Sequence, residues 1–200
     1  MLILLRHGRT ALNAAGVLQG RVDQPLDEVG RAQASQVAAA LGPADLVITS
    51  SLQRARETAG YFGRETVVDD RWIEIDYGRM EGQPVSVLSS PEWVRVRMDP
   101  AVPFDGGESL AAVAARVDPA FADALELARD RTVVVVSHVS PIKAAIGVTL
   151  GCDHPIGFRC HLDHASVSRV ESRSTGPVLR SFNEVLYHIS PEPRPEVVRS

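Results

Sequence analysis

The chain has 200 residues, of which 44% are hydrophobic and 23% are charged, and its formal net charge is −4. This composition is typical of one soluble globular domain, and the acidic balance argues against a nucleic-acid-binding domain, which usually carries a basic excess. No segment approaches the roughly 20 apolar residues of a membrane span, and the apolar start meets Arg6 too early for a signal peptide. We therefore expect a cytoplasmic protein without membrane or nucleic-acid partners, in which Cys152 and Cys160 stay reduced.

The first half of the chain alternates between short apolar runs and helical patterns. Ser50 or Ser51 is expected to cap the second helix, because short hydroxyl side chains favour that position. The predicted elements are a strand at residues 2–5, a helix at 27–41, a strand at 46–48, a helix that carries Leu52, Ala55, Ala59 and Phe62, and a weak strand at 67–68.

The second half begins with an irregular stretch, residues 76–108, that is rich in proline. Alternating strands and helices predict an α/β fold, a three-layer α/β/α sandwich with a mostly parallel sheet. We expect one domain over residues 1–190, a short cap-like excursion at 78–107 and a disordered, proline-rich tail at 191–200. The remaining predicted elements are a helix at 109–128, the strongest strand of the chain at 132–136, a helix from Pro141, and strands at 165–170 and 178–182.

Basic side chains follow the three clearest strands. Arg6 and His7 come after the first strand, Arg54 comes shortly after the second, and His138 comes after the strongest one. Ligands of parallel α/β sheets bind at the carboxyl ends of the strands, so these four residues are expected to share one pocket. Two guanidinium groups can bind a phosphoryl group through paired hydrogen bonds. The pattern therefore predicts a site for a small phosphorylated metabolite.

Histidine has a specific use in such a pocket. A neutral His7 can attack phosphorus, and a protonated His138 can stabilise charge on the transferred group. Glu74 is the candidate general acid and base, although Glu81 competes for that role. Because the arginines supply positive charge, we expect neither a metal nor a cofactor.

Five blocks of the sequence resemble the histidine phosphatase superfamily, also called phosphoglycerate-mutase-like, and the likeness spans nearly the whole chain before the tail. Within that family the chain is similar to phosphatases such as α-ribazole phosphatase and broad-specificity acid phosphatases. The blocks are Leu-Leu-Arg-His-Gly-Arg-Thr from Leu4, Ser-Ser-Leu-Gln-Arg-Ala-Arg-Glu-Thr-Ala from Ser50, Glu-Ile-Asp-Tyr-Gly-Arg-Met-Glu-Gly from Glu74, Gly-Gly-Glu-Ser from Gly106, and Val-Ser-His from Val136.

The resemblance implies a role for each matching residue. His7 is the nucleophile, Glu74 belongs to the block that carries the acid, and His138 is the second catalytic histidine. The chain departs from the family pattern after His138, where it has Val139-Ser140-Pro141, but the backbone N–H of Val139 is retained. Asn13 could instead stabilise a turn, and Tyr77 could instead serve packing. The implied phosphate-binding residues are Arg6, Arg54, Asn13 and Val139, and the implied substrate-binding residues are Gln19, Gly20 and Tyr77.

Two other groups of residues have competing interpretations. Arg95 and Arg97 would share a face on a strand, where they could meet an anionic part of the substrate or simply lie in solvent. The second group contains cysteines and histidines, but its spacing fits no usual pair of zinc-ligand couplets, so no metal is expected. Its members are Cys152, His154, Cys160, His161 and His164.

Three functions remain open for this pocket. A phosphatase passes the phosphoryl group to water, whereas a cofactor-dependent phosphoglycerate mutase excludes water and returns the group to a second hydroxyl. The excursion between Gly82 and Gly106 is short, which favours the phosphatase. A protein that binds phosphorylated ligands without turnover is the third alternative, and the complete residue set argues against it. A homodimer through an edge strand is also left open.

Overall fold

The centre of the fold is a six-stranded sheet. The structure, a computed structural model, describes residues 1–152 and 158–188. The strands are β1 (Leu2–Arg6), β2 (Leu46–Thr49), β3 (Thr66–Val68), β4 (Val133–Ser137), β5 (Val167–Arg173) and β6 (Gly176–Glu184). The strand order is β3-β2-β4-β1-β5-β6; neighbours from β3 to β1 pair in parallel, and β5 pairs antiparallel with both β1 and β6. The prediction of a mostly parallel sheet is therefore confirmed.

In the described part of the chain, six α-helices pack on the sheet or lie beside it. Two of them begin as predicted, because Asp27 and Ser109 accept hydrogen bonds from backbone N–H groups of the first turn. Among the described residues, no helix is both long and apolar enough to cross a membrane. The helices are α1 (Ala11–Ala14), α2 (Glu28–Leu41), α3 (Gln53–Gly60), α4 (Pro91–Met98), α5 (Leu110–Leu127) and α6 (Val139–Leu150).

The sheet separates two hydrophobic cores, one on each face. Alternate residues of a strand point to opposite faces, so Leu2 and Leu4 pack with α5 and α6, whereas Ile3 and Leu5 pack with α2 and α3. All four side chains are buried. This arrangement is the predicted three-layer sandwich, and it leaves the carboxyl ends of β1, β2 and β4 side by side.

The cap segment, residues 78–107, has more regular structure than the sequence predicted. It contains short 3₁₀ helices at Gly78–Met80 and Val85–Ser89, followed by α4. The prolines of this segment predict irregular chain, but Pro91 begins α4, where its missing N–H costs nothing. Arg95 and Arg97 therefore lie on a helix, where residues two apart do not share a face, and both are exposed.

Two predicted helix starts were wrong. The residue that precedes α3 is Leu52, and no side chain caps that helix, so neither Ser50 nor Ser51 is its cap. Helix α6 begins at Val139 rather than Pro141, which lies within its first turn. The predicted disordered tail, residues 191–200, lies outside the described residues.

Candidate active site

His7 and His138 lie next to each other at the carboxyl edge of the sheet. The backbone of His7 extends β1, because its N–H donates to the carbonyl of Ser137 and its carbonyl accepts from the N–H of Ala165. His138 follows β4 and precedes α6. Both side chains are buried, and their ring centroids are 5.1 Å apart. The structure thus brings together the two histidines that the sequence singled out.

Gly8 is required by close packing behind His7. A Cβ atom at Gly8 would lie 2.4 Å from the carbonyl oxygen of Gly30 in α2, well inside contact distance. The N–H of Gly8 donates to Oγ1 of Thr58. The Arg-His-Gly tripeptide therefore fixes where the loop after β1 crosses α2 and α3, and so where the imidazole of His7 lies.

The ring of His7 has a defined tautomer. Its Nδ1 lies 2.7 Å from the carbonyl oxygen of Gly8, and a carbonyl can only accept, so Nδ1 carries the proton. The lone pair is then on Nε2, which accepts from Nε–H of Arg54 at 3.2 Å. Burial and the charge of Arg54 hold the pKa of His7 well below its usual value. His7 is therefore neutral, with Nε2 available for attack on phosphorus.

His138 has the opposite tautomer. Its Nδ1 accepts from Nε–H of Arg54 at 3.3 Å, so Nε2 carries the proton and donates to Oγ of Ser50 at 2.7 Å. Burial and the neighbouring Arg54 and Arg6 lower the pKa of His138 well below its usual value. His138 is therefore neutral in this structure, whereas the charge-stabilising role considered from the sequence requires its protonated form. A bound phosphate dianion would oppose the effect of the arginines and favour the protonated ring.

Arg54 is fixed by the loop that precedes α2. Its Nη1 and Nη2 donate to the carbonyls of Val22 and Gly20 at 2.9 and 2.6 Å, and its side chain is 1% exposed. Gly20 has a φ of +53°, and a Cβ atom there would lie 2.0 Å from a carboxylate oxygen of Glu81. Gln19 bonds to Thr10 and to the carbonyl of Val22. The predicted substrate residues Gln19 and Gly20 therefore hold the loop and Arg54.

Arg6 has a donor that no described residue satisfies. Its Nη1 donates to the carbonyl of Leu162 at 2.5 Å, whereas its Nε is buried without a partner among the described residues. Burial lowers the pKa of Arg6 to about 10, and the charge of Glu74 opposes that shift, so the group stays charged at neutral pH. A buried, charged N–H without a partner is a donor that an anion would satisfy.

Glu74 is anchored at the start of α6. Its carboxylate accepts from the backbone N–H groups of Ile75, Val139 and Ser140 at 2.9, 3.0 and 3.1 Å, and the residue is 6% exposed. Glu74 is also the largest opposing charge acting on both Arg6 and Arg54. The N–H of Val139, which the resemblance implies as a phosphate ligand, donates to Glu74 in this structure, and its role toward phosphate stays a prediction.

Glu81, the competing acid, lies against the backbone. One carboxylate oxygen accepts from the N–H groups of Arg21 and Tyr77, at 2.6 and 3.4 Å. That oxygen is also the atom that a Cβ at Gly20 would meet. These contacts give Glu81 a structural part in the loop that holds Arg54.

Asn13 and Tyr77 lie at the margins of the site. Asn13 Oδ1 accepts from the N–H of Thr10 in a capping box at the start of α1, which leaves its Nδ2 as the group to offer a phosphate. The ring centroid of Tyr77 lies 5.1 Å from that of Phe104 and 5.7 Å from that of Trp93. Burial and the charge of Glu74 raise the pKa of Tyr77, whose hydroxyl bonds to the side chain of Ser140. Tyr77 thus joins the site to the cap segment.

Two supporting residues were missed from the sequence. Ser50 is fully buried against His138, and its signal was its place directly after β2, matching that of His7 after β1. Arg116 of α5 donates to the carbonyls of Arg71 and Glu74 and pairs with Glu108 at 3.0 Å. These contacts fix the position of the segment that carries Glu74. Nothing in the sequence pattern marked Arg116.

The cysteine and histidine group forms no metal site among the described residues, where no three histidine, cysteine or acidic side chains lie close enough to hold an ion. Cys152 is exposed and Cys160 is partly buried, both as thiols. His161 lies 3.3 Å from Asp163. His154 lies outside the described residues.

Comparison with known proteins identifies a family that the chain matches. The sequence profile of the histidine phosphatase superfamily (branch 1) matches residues 2–185. A bifunctional protein of Mycobacterium tuberculosis is 36% identical over 188 residues, which are 88% of this chain and 51% of that protein. The chain thus spans about half the length of the mycobacterial relatives it matches.

Two further relatives match over nearly their full length. Phosphoserine phosphatase 1 of Hydrogenobacter thermophilus is 35% identical over 192 residues, which are 91% of each chain. The crystal structure of a phosphoserine phosphatase mutant from Entamoeba histolytica, in complex with phosphoserine, superposes with a TM-score of 0.84 at 28% identity. That likeness covers 92% of this chain and 96% of the other.

Proposed function

This chain belongs to the histidine phosphatase superfamily (branch 1), and on that premise we propose that it is a metal-independent phosphomonoester hydrolase that acts through a phosphohistidine on His7. The observation that carries the proposal is the state of His7: a neutral ring whose Nδ1–H is bound to Gly8 and whose Nε2 lone pair faces the Nε–H of Arg54. The substrate on this proposal is a small phosphorylated metabolite, and the reaction takes place in the cytoplasm.

The substrate phosphate binds where the donors converge. Arg6 supplies its unpartnered Nε–H, and Arg54, held in place by its Nη groups, offers its Nε–H to a phosphate oxygen that replaces the two imidazoles as acceptor. Asn13 can add its Nδ2 amide. Once Arg54 donates to phosphate, the lone pair of His7 Nε2 is free, so binding of the anion also exposes the nucleophile.

Transfer then takes place in two steps. Nε2 of His7 forms a bond to phosphorus while the bond from phosphorus to the alcohol oxygen breaks, and Glu74, after taking up the proton of the bound ester monoanion, gives that proton to the alcohol oxygen. Water next attacks the phosphohistidine, Glu74 takes a proton from it, and inorganic phosphate leaves. His138, protonated in the presence of the dianion, and both arginines stabilise the charge on the transferred group, so this route uses no metal ion.

The test is hydrolysis of 4-nitrophenyl phosphate in the presence of excess EDTA. We expect release of phosphate by the wild-type protein and at least a 10⁴-fold loss in His7→Ala, because no other group can form the intermediate. His188→Ala, which changes an exposed histidine, should keep full activity. Full hydrolysis by His7→Ala would contradict the proposal.

The same protein preparations separate the two alternatives. Some relatives are named probable phosphoglycerate mutases, so a mutase is the competing enzyme. It would show little hydrolysis but would interconvert phosphoglycerates when primed with 2,3-bisphosphoglycerate. A binding protein would show neither activity and would still bind inorganic phosphate.

A further inference from the structure

A large cavity lies beside the catalytic residues, between the cap segment and helices α5 and α6. Its volume is about 480 Å³, within the usual range for a small-molecule site. Aromatic and aliphatic side chains form most of its wall, among them Leu88, Trp93, Phe104, Val113 and Phe158. The cavity is therefore shaped for a molecule that is much larger than phosphate and is mainly apolar.

The cavity adjoins Glu74 rather than the arginines. Tyr77, Val139 and Ser140 line it, and the backbone N–H groups of Val139 and Ser140 hold the carboxylate of Glu74. His7, Glu74 and the two arginines are not among the described residues that line it, so the cavity meets the site through the two residues that hold Glu74. On the proposed mechanism Glu74 protonates the alcohol oxygen, so the cavity lies on the side of the site where the alcohol leaves.

The wall is built for contact with apolar surface. The rings of Tyr77, Trp93 and Phe104 lie with centroids 5.1 to 5.7 Å apart, and Phe158 meets Trp93 edge-on at 6.4 Å. Leu88, at the mouth, remains 40% exposed. An apolar occupant would remove this surface from water, which is favourable in proportion to the area buried.

Few charges face the cavity. Of the described residues that line it, Asp118 and Lys143 are charged, and Asp118 is exposed. Burial lowers the pKa of the Lys143 ammonium, as expected for a surrounding of low polarity. Among the described residues, an alcohol with its own ammonium and carboxylate could pair with Asp118 and Lys143, but the rest of its contact would be mostly with the aromatic and aliphatic wall, against which its charges lose hydration.

We infer that the preferred substrates of this chain are phosphomonoesters of large apolar alcohols, with the alcohol held in the cavity lined by Trp93 and Phe104. The inference rests on the proposed function and narrows it. It also separates this chain from relatives named for phosphoserine, whose alcohol is small and charged.

Primary alkyl phosphates test the inference without a change in leaving-group chemistry. Ethyl, hexyl and 2-phenylethyl phosphate have similar intrinsic reactivity, so differences in kcat/KM report contacts of the alcohol. Each methylene that is fully buried should raise kcat/KM by about fourfold. We expect hexyl and 2-phenylethyl phosphate to exceed both ethyl phosphate and phosphoserine by at least tenfold.

A pair of variants on α4 assigns that preference to the cavity. Trp93→Ala removes part of the wall, and the ratio of kcat/KM for hexyl over ethyl phosphate should fall at least fivefold. Met98→Ala, on the same helix but 78% exposed and outside the wall, should leave the ratio unchanged. Because a ratio cancels the fraction of active enzyme, partial loss of folding does not imitate the effect.

The outcomes separate this inference from the proposed function. If ethyl phosphate and phosphoserine are hydrolysed as well as hexyl phosphate, the inference is overturned and the phosphatase stands. If no ester is hydrolysed, the proposed function fails, and the affinities for the esters then test the inference. Calorimetry should still give a dissociation constant at least tenfold lower for hexyl than for ethyl phosphate, and equal constants would overturn the inference.

Discussion

The sheet edge that carries His7 and the cap segment that carries Trp93 are held by different forces. At the edge, directional hydrogen bonds fix buried polar groups: Arg54 donates to two loop carbonyls and to both imidazoles. In the cap segment, Trp93 meets Tyr77 and Phe104 through apolar ring contacts. Hydrogen bonds fix the position of single atoms, whereas apolar contact mainly excludes water. The edge can therefore determine the reaction, and the cap segment can determine which alcohol enters.

The largest loss of activity is expected on substitution of Glu74, which lies where the two regions meet. Glu74→Gln keeps an oxygen that can accept N–H bonds but cannot transfer a proton. We expect kcat/KM for hexyl phosphate to fall by about 10²–10³; this constant reports transfer to His7, whereas hydrolysis of the phosphohistidine is common to all esters. The fall for 4-nitrophenyl phosphate should be smaller, because its leaving group needs less protonation. Steady-state and burst kinetics with both esters measure the difference.

Glu81→Gln is the matched control for that experiment. Glu81 bonds to the backbone of Arg21 and Tyr77, so its loss should affect both esters equally. If Glu81→Gln instead showed the selective loss with hexyl phosphate, the assignment of the acid to Glu74 would be wrong.

The contrast between the two regions also explains what the sequence could predict. His7 and His138 were located because strands can be recognised from short apolar runs and their carboxyl ends must meet. The partners of Gln19, Gly20 and Val139 could not be predicted, because the direction of a backbone N–H or an amide depends on how distant segments pack. The family pattern implied substrate contacts for Gln19 and Gly20 and a phosphate contact for Val139, and the structure shows them bonded to Thr10, Arg54 and Glu74 respectively.

The cap segment was the least predictable part of the fold. Its prolines indicated irregular chain, yet Pro91 begins α4, and α4 is what brings Trp93 to the cavity. Aromatic residues such as Trp93 and Phe104 show no helical or strand period in so short a segment. Their convergence depends on the tertiary fold, so a sequence pattern reveals the reaction more readily than the alcohol.

A smaller effect is expected for Ser50, which tests whether the edge depends on single hydrogen bonds. Ser50→Ala removes the acceptor for Nε2–H of His138 and releases the ring from its tautomer. We expect kcat to fall about tenfold with KM nearly unchanged, which corresponds to the loss of one buried hydrogen bond. Ser50→Thr, which retains the hydroxyl, should restore most of the rate.

Ser51→Ala provides the matched control, because Ser51 contributes only its backbone N–H to Asp70 among the described contacts. A purely structural role for Ser50 would lower the unfolding temperature without altering the pH dependence of kcat. Unchanged kcat in Ser50→Ala would show that His138 needs no such partner.

The smallest expected effect is the change of the free energy of unfolding with pH, which should depend on the buried histidines. Burial holds the pKa values of His7 and His138 well below the usual value and lowers that of His164 to about 2. The unfolded chain binds protons at these residues below about pH 6.5, whereas the folded chain does not. The free energy of unfolding should therefore decrease as the pH falls from 7.5 to 5.5, by roughly 1 kcal/mol for each of the three histidines.

Urea unfolding of His164→Phe at both pH values isolates one of these contributions. The variant should lose about 1 kcal/mol of the wild-type difference between pH 7.5 and 5.5, whatever its absolute stability. His188→Phe, at an exposed site, should keep the whole difference. The same pH dependence in His164→Phe as in wild type would mean that His164 is protonated in the folded protein.

The most direct test of the central claim is to isolate the phosphoenzyme. Glu74→Gln should accumulate it, because water lacks a base to attack the intermediate. After a brief reaction with ³²P-labelled 4-nitrophenyl phosphate, whose leaving group needs little protonation, and an alkaline quench, we predict a label that is stable in alkali, is released by acid and maps to the peptide containing His7. Two results would contradict the account. One is a label on the double variant His7→Ala/Glu74→Gln, and the other is an unlabelled Glu74→Gln protein during a measured burst of alcohol release.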